Sequence, residues 1–196
     1  ERFASMVSHD LRSPPNVAKN RVLLARAEND TDHLQHASDA LGRMETIVKD
    51  LLVLAVQGQR VDETEVVSLT AVAERAWQLM DTGTATMGMA GDLSFRASPH
   101  RLQELLENLF RNAVDHGPEG IAVQVGRLED DTGFYVADDG SGIDDEKQDT
   151  VFEFGYTTDE DGTGIGLAIV QEIADAHGWT CQVTESTVGG ARFEIA

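Results

Sequence analysis

Apolar positions fall three and four residues apart from Arg2 to about Gln57, the spacing that gathers one face of an α-helix. The first arm carries Phe3, Met6, Val7, Leu11, Val17 and the run Val22 to Leu24; the second carries Leu34, Leu41, Met44, Val48, Leu51 and Ala55. Between them Asn29-Asp30-Thr31-Asp32 interrupts the pattern with residues that end one helix and cap the next. The predicted element is a helical hairpin. Two helices cannot bury this much apolar face on each other alone, so a second copy is expected to complete a four-helix bundle. Pro14 and Pro15 remove backbone donors, which predicts a kink in the first helix just after His9.

The helical period stops at Gly58-Gln59-Arg60 and Asp62-Glu63-Thr64-Glu65, a polar, aperiodic stretch that reads as a linker. A boundary near residue 60 divides the chain into segments 1–59 and 60–196. Beyond it the pattern predicts a short strand at Val66 to Leu69, a helix from Thr70 to about Met80, and a strand within Met87 to Arg96. Pro99 then opens a helix running to about His116. Strands follow at Ile121 to Leu128 and Gly133 to Ala137, then a loop region rich in Gly and Asp to about Gly164. A helix from about Ile165 to Ala176 precedes a closing hairpin that pairs Thr180 to Glu185 with Ala191 to Ile195 across Val188-Gly189-Gly190. The fold class is α+β, with three helices layered on one sheet.

With 196 residues and 41% hydrophobic content the chain can support real cores, so general disorder is not expected. Thirty-five acidic against fifteen basic residues give a net charge of −20, spread along the chain instead of gathered in a tail. Such a surface repels phosphate backbones and anionic lipids, which argues against nucleic-acid binding. It also suits a protein kept soluble at high salt, where the repulsion is screened, so a halophilic source is an expectation. The single cysteine, Cys181, excludes an internal disulfide and a cysteine-based metal site, in keeping with a reducing, cytoplasmic setting. No run is long and apolar enough to span a bilayer and no signal-peptide pattern is present. The abrupt start inside a helical pattern points to an upstream region.

The residues able to do chemistry are concentrated in a few stretches. In SPHRLQELLENLFRNAVDHG, Leu102, Leu106, Leu109, Phe110 and Ala113 form the apolar stripe, and Asn108 and Asn112 sit four apart beside it. An amide oxygen is a neutral hard ligand suited to Mg²⁺, which takes one or two protein oxygens plus phosphate and water; an exposed helical asparagine is the plainer reading. VADDGSGI sets Asp138, Gly140 and Gly142 at a strand end, and DGTGIGLAIV sets Gly162, Gly164 and Gly166 just before a helix. Glycines there let backbone N–H groups approach phosphate oxygens at the helix N-terminus, although loop glycines more often serve turns. The two glycine segments together, following an Asn-x-x-x-Asn helix, are far more specific than either alone. The spacing differs from the Rossmann Gly-x-Gly-x-x-Gly, and the Gly-Lys-Ser/Thr ending of a P-loop is absent.

In this order the motifs resemble the catalytic core of the sensor histidine kinases of two-component systems. That core is a dimerisation and phosphoacceptor hairpin followed by an ATPase domain of the kind shared with gyrase B, Hsp90 and MutL, an α/β sandwich of the Bergerat or GHKL type. SHDLRSP resembles the phosphoacceptor box, NLFRNAVDHG the N box, DDGSGI and GTGIGLAIV the two glycine boxes, and VFEFGYTT the F box. The resemblance implies that ATP and Mg²⁺ are required, that His9 is the phosphoacceptor with Asp10 as its acid–base partner, and that Asn112 ligates Mg²⁺ with Asn108 beside it as a catalytic residue that positions ligand or water. It implies that Asp138 accepts a hydrogen bond from the adenine amino group, with Gly140, Gly142 and Ile143 shaping the base side. Gly162, Thr163, Gly164, Ile165, Gly166 and Leu167 would close over the phosphates. Asp144 to Asp161 would be a mobile lid with Phe152 and Phe154 as its latches, although both rings serve equally well as core. A homodimer, an upstream sensory domain and a response-regulator receiver domain as phosphoryl acceptor are the implied partners.

The match departs from the family at several positions. Pro15 stands where leucine is usual. Ser13 takes the place, three after the acidic residue, where Thr or Asn often positions water for dephosphorylating the partner, and its hydroxyl is shorter. Asp115 stands where a basic residue is common, with His116 able to compensate in part, and Asp159-Glu160-Asp161 add negative charge to the lid. Two other function classes stay open on sequence alone. One is a nucleotide-binding signalling scaffold without chemistry, which the intact His9, Asp10, Asn112 and Asp138 argue against; the other is a gyrase- or MutL-like DNA-acting ATPase, disfavoured by the charge, the size and the hairpin.

Overall fold

A computed structural model describes residues 13–28, 32–55, 63–129, 132–158 and 164–196. The chain divides into two compact units, one of Glu1–Gln57 with Thr157–Ile165, the other of Gly58–Tyr156 with Gly166–Ala196. In the first, helices α1 (Ser13–Glu28) and α2 (Asp32–Ala55) pack along each other. Small residues make the close approach: Ala18, Ala25 and Ala37 are buried, while Val17, Val22, Leu23, Leu34, Leu41 and Val48 stay exposed. Pro14 and Pro15 lie in the first turn of α1, where a missing donor costs nothing. The kink expected just after His9 lies outside the described residues.

The second unit runs β1 (Glu65–Ser68), α3 (Leu69–Gln78), β2 (Thr86–Ala90), β3 (Ser94–Ala97), α4 (Pro99–His116), β4 (Ala122–Arg127), β5 (Phe134–Asp138), α5 (Gly166–His177), β6 (Cys181–Glu185) and β7 (Ala191–Ile195). Five strands form one sheet in the order β2-β4-β5-β7-β6, parallel between β2 and β4 and antiparallel elsewhere. β1 and β3 form a separate antiparallel pair. The single strand expected within Met87 to Arg96 is therefore two strands in two sheets. Gly91, at a φ of 89°, turns the chain between them.

The residues after that turn have a second task, which is to cap α3. The N–H of Leu69 donates to the Leu93 carbonyl at 2.9 Å, that of Thr70 to Asp92 Oδ1 at 3.1 Å, and that of Ala71 to Ser68 Oγ at 3.2 Å. Three donors with no intrahelical partner are thus satisfied. Ser68 and Thr70 hydroxyls also donate to Asp92 Oδ1, and these bonds hold its carboxyl below the usual range, the Thr70 N–H contributing most.

The core lies between the helices and one face of the five-stranded sheet. Leu102, Leu105, Leu106, Leu109 and Phe110 of α4 and Ile169, Val170, Ile173 and Ala174 of α5 are fully buried, and Trp77 of α3 meets Phe110 edge-on at 5.3 Å. Val123, Val125, Val136, Val183 and Phe193 are buried from the sheet side. On the opposite face Tyr135 lies flat over Gly126, where a Cβ would come within 2.7 Å of the ring. Arg192 stacks on that ring at 3.7 Å and pairs with Glu194, so β5 is buried on both faces. At the far end His177 stacks on Trp179 with centroids 4.0 Å apart. It accepts the Ser98 N–H at Nε2 and donates from Nδ1 to the Ile173 carbonyl, an arrangement open only to the neutral ring, and burial pushes its pKa down.

Because the Asp92 carboxyl titrates below its unfolded value, its contribution is present at neutral pH and is lost as pH falls through the folded value. Asp92→Ala should lower the unfolding free energy by about 1 kcal/mol at pH 7 and flatten the acid arm of stability against pH. Urea unfolding at a series of pH values checks both.

Candidate functional site

Asp138 is the last residue of β5, and its position at the end of a doubly covered strand leaves it only 8% exposed. Oδ1 accepts the N–H of Gly140 at 2.9 Å and that of Ala191, at the start of β7, at 3.1 Å. Burial pushes the carboxyl above the usual carboxylate range; the two N–H bonds pull it back, and the neighbouring Asp139 charge adds to the upward push. Asp139 points away, accepting the Ala122 N–H at 2.8 Å and so clamping β4 to the loop. Gly140 would carry a Cβ 3.0 Å from Asp138 Oδ1, and a Cβ on Gly142 would stand 3.3 Å from the Gly190 carbonyl oxygen. A side chain at either position would crowd its neighbour, and Gly142 also takes a φ of 74° that favours glycine. A carboxylate at a strand end with one oxygen held is an acceptor for a single donor on a ligand.

α4 presents the asparagines. Asn108 is buried instead of bordering the apolar stripe: its Nδ2 donates to the Glu104 carbonyl at 2.9 Å, and its Oδ1 lies 3.3 Å from where a Cβ on Gly166 would stand. The N-terminus of α5 therefore sits against the Asn108 amide, and a side chain at 166 would have to displace that amide by a few tenths of an ångström. Asn112, one turn on, is half-buried, and Asp115 and His116 are exposed at the helix end. Among the described residues no group of three or more His, Cys, Asp and Glu side chains could hold a metal ion. A single neutral amide oxygen suits a cation that takes most of its shell from phosphate and water, which is the habit of Mg²⁺. A cavity of about 340 Å³ lined by Leu79, Met80, Asp81, Glu107, Arg111, Val114 and Asp115 shares only Asp115 with the expected set.

The first part of the stretch expected to be a mobile lid is a chain of hydrogen-bonded turns. It runs from a short 3₁₀ turn at Asp145–Lys147 to Tyr156, whose N–H donates to the Glu153 carbonyl. Val151 is buried and Phe152 packs edge-on against Phe193 of β7 at 6.2 Å, so this part is anchored to the sheet; Phe154 is half-buried. Ile143 and Leu167 are half-buried at the ends of their segments, and Gly164 and Ile165 lead into α5. His9, Asp10, Gly162 and Thr163, and the acidic run Asp159 to Asp161, lie outside the described residues, and Ser13 opens α1.

The fold has counterparts. Residues 97–196, about half the chain, match the family described as histidine kinase-, DNA gyrase B- and HSP90-like ATPases. The chain belongs to this family. Sensor histidine kinase CpxA of Escherichia coli K12 is 30% identical to it over 214 residues, covering all of the chain and 46% of that protein. Methanogenesis regulatory histidine kinase FilI of Methanothrix harundinacea is 33% identical over 199 residues, covering 91% of the chain and 22% of that protein. The chain thus spans about half the length, or less, of these relatives. The solved structure of the Acinetobacter baumannii histidine kinase AdeS superposes with a TM-score of 0.75 over 95% of each chain at 22% identity, a likeness of fold. Among the described residues no helix is long and apolar enough to cross a membrane.

Sequence reasoning did not foresee Gly190 and Ala191 as part of the site. Their only signal was a Gly-Gly pair that reads equally well as an ordinary hairpin turn.

Asp138→Asn keeps an acceptor for the two N–H groups and removes the buried charge. The ligand-free protein should therefore unfold at an equal or higher temperature at pH 7, while affinity for ATP drops roughly tenfold or more. Calorimetric melting and titration on the same preparation measure the two effects.

Proposed function

We propose that the chain is the catalytic core of a sensor histidine kinase that transfers the γ-phosphoryl group of ATP to His9 and then to an aspartate of a response-regulator receiver domain. The observation that carries the reading is Asp138, a buried carboxylate with one oxygen tied to two backbone N–H groups inside a glycine cradle of the ATPase family. Segment 1–59 serves as the dimerisation and phosphotransfer hairpin and 60–196 as the ATP-binding domain. The exposed apolar residues of α1 and α2 support a homodimer through a four-helix bundle. An upstream sensory domain and a cytoplasmic setting complete the proposal.

In this reading Asp138 takes the adenine amino group as a hydrogen bond, and Gly140, Gly142 and Ile143 shape the base side. The N-terminus of α5, with Gly162 to Leu167, donates backbone N–H groups to the phosphates, and Asn108 fixes where that terminus lies. Phe152 and Phe154 hold the preceding loop on the sheet. Asn112 would hold Mg²⁺, with Asp115 and His116 near the phosphates. Bound there, Mg²⁺ neutralises the charge of the phosphoryl oxygens. The unprotonated ring nitrogen of His9 attacks the γ-phosphorus, the bond to the β–γ bridging oxygen breaks, and ADP leaves with the electron pair. Asp10 holds the other ring N–H, fixing the tautomer. Ser13, with a shorter hydroxyl than the family's usual Thr or Asn side chain, is poorly suited to position a water that would hydrolyse the partner's aspartyl phosphate.

The native chain incubated with γ-labelled ATP and Mg²⁺, at low and at molar salt, is expected to take up label that is acid-labile and alkali-stable. His9→Gln should take up none, and Asn112→Ala should label on the order of 10²-fold more slowly. ATP binding without label at any salt would sink the kinase reading and favour a nucleotide-binding scaffold.

A further inference from the structure

We propose that Gly190 and the Ala191 N–H, where the chain enters β7, are positioning residues that fix the Asp138 carboxylate so that only Oδ2 faces the ligand. This rests on the reading of Asp138 as the acceptor for the base. Both hydrogen bonds to the carboxylate fall on Oδ1, one from the loop after β5 and one from the strand beside it. Among the described residues no buried side-chain oxygen or nitrogen lacks a partner, so Oδ2, which takes no bond from either donor, remains reachable. Bonds from two separate segments to one oxygen fix the rotation of the carboxylate plane, and Oδ2 then points one way.

Gly190 makes that arrangement possible. A Cβ built on it would come 2.2 Å from the Asp138 carbonyl oxygen and 2.4 Å from Oδ1, closer than any side chain tolerates. A methyl there must push the turn, and with it the Ala191 N–H, off the carboxylate. The turn is itself well tied: the Ser186 N–H donates to the Gly190 carbonyl at 3.0 Å and the Gly189 N–H to the Ser186 carbonyl at 3.1 Å. It also backs onto the loop of Gly140 and Gly142, since a Cβ on Gly142 would meet the Gly190 carbonyl at 3.3 Å. Gly189 is the matched control. It too has a positive φ, 99° against 76° for Gly190, but a Cβ on it would only approach the Gly140 carbonyl oxygen at 4.0 Å. Alanine at either position bears the left-handed strain, and only at 190 does it strike Asp138.

The test is titration of ADP with Mg²⁺ into the native chain, Gly190→Ala, Gly189→Ala and Asp138→Asn over the acid-to-neutral pH range. Gly190→Ala should bind roughly tenfold or more weakly. Its acid limb should move to higher pH, because a carboxylate that loses an N–H bond is protonated more easily. Gly189→Ala should keep the native affinity and limb while melting at a lower temperature. Equal loss in both glycine variants, or native binding by Gly190→Ala, overturns the inference. Native binding by Asp138→Asn overturns instead the reading of Asp138 on which it rests. A measurement on the unaltered fold stands beside these: in the native chain the amide resonances of Ala191 and Gly140 should titrate together with the Asp138 carboxyl, and both titrations should vanish in Asp138→Asn. An Ala191 amide that ignores the titration also overturns the inference.

Discussion

The pair of backbone N–H bonds to Asp138 Oδ1 exists because β5 lies between β4 and β7 with both faces covered. Packing of Phe134 and Val136 beneath, and of Tyr135 and Arg192 above, leaves a strand whose final residue emerges where water is scarce. A carboxylate there is costly unless hydrogen-bonded. The loop after β5 and the strand beside it supply the bonds without any side chain, which is why the residues around it are glycine and alanine. What makes the position expensive also makes it discriminating, because an acceptor held in a low-dielectric pocket rewards a well-placed donor more than a flexible surface carboxylate does.

The helices answer to the same sheet. α4 crosses the core with an unbroken row of leucines and brings Asn108 to the start of α5, so the two helices register on an amide instead of a methyl group. At the far end the Ser98 N–H on the His177 ring closes the same pair of helices a second time. α3 is tied through Asp92 and Leu93 to the link between β2 and β3. Each helix that flanks the site is therefore fixed at one terminus by a hydrogen bond from a different segment.

Much of this was legible in the residues. The extents of α4, α5 and the closing hairpin follow from period and capping alone, as Pro99 opening a helix shows. Asp138 stood out as a candidate through its place between a strand and two glycines. Other features were hidden for physical reasons. In the stretch Met87 to Arg96 the apolar Met87, Met89, Leu93 and Phe95 keep the period-two spacing of one strand, and the tertiary need to cap α3 explains why it breaks at Gly91 and Asp92. Asn108 looked like a border residue because periodicity measures angle and not depth; an amide able to bond its own helix at Glu104 can be buried. Tyr135 lying across Gly126 could not be read, since a glycine in a strand gives no hint of which ring will occupy the space it leaves.

Among the described residues β7 comes after every other strand in sequence and yet sits inside the sheet, between β5 and β6. Asp138 and Ala191, which it brings together, are 53 residues apart in sequence. During synthesis β4 and β5 can pair as soon as they emerge, but the carboxylate keeps an open side until β7 follows and inserts. A growing chain thus carries no finished cradle around Asp138 until β7 has been made and has inserted.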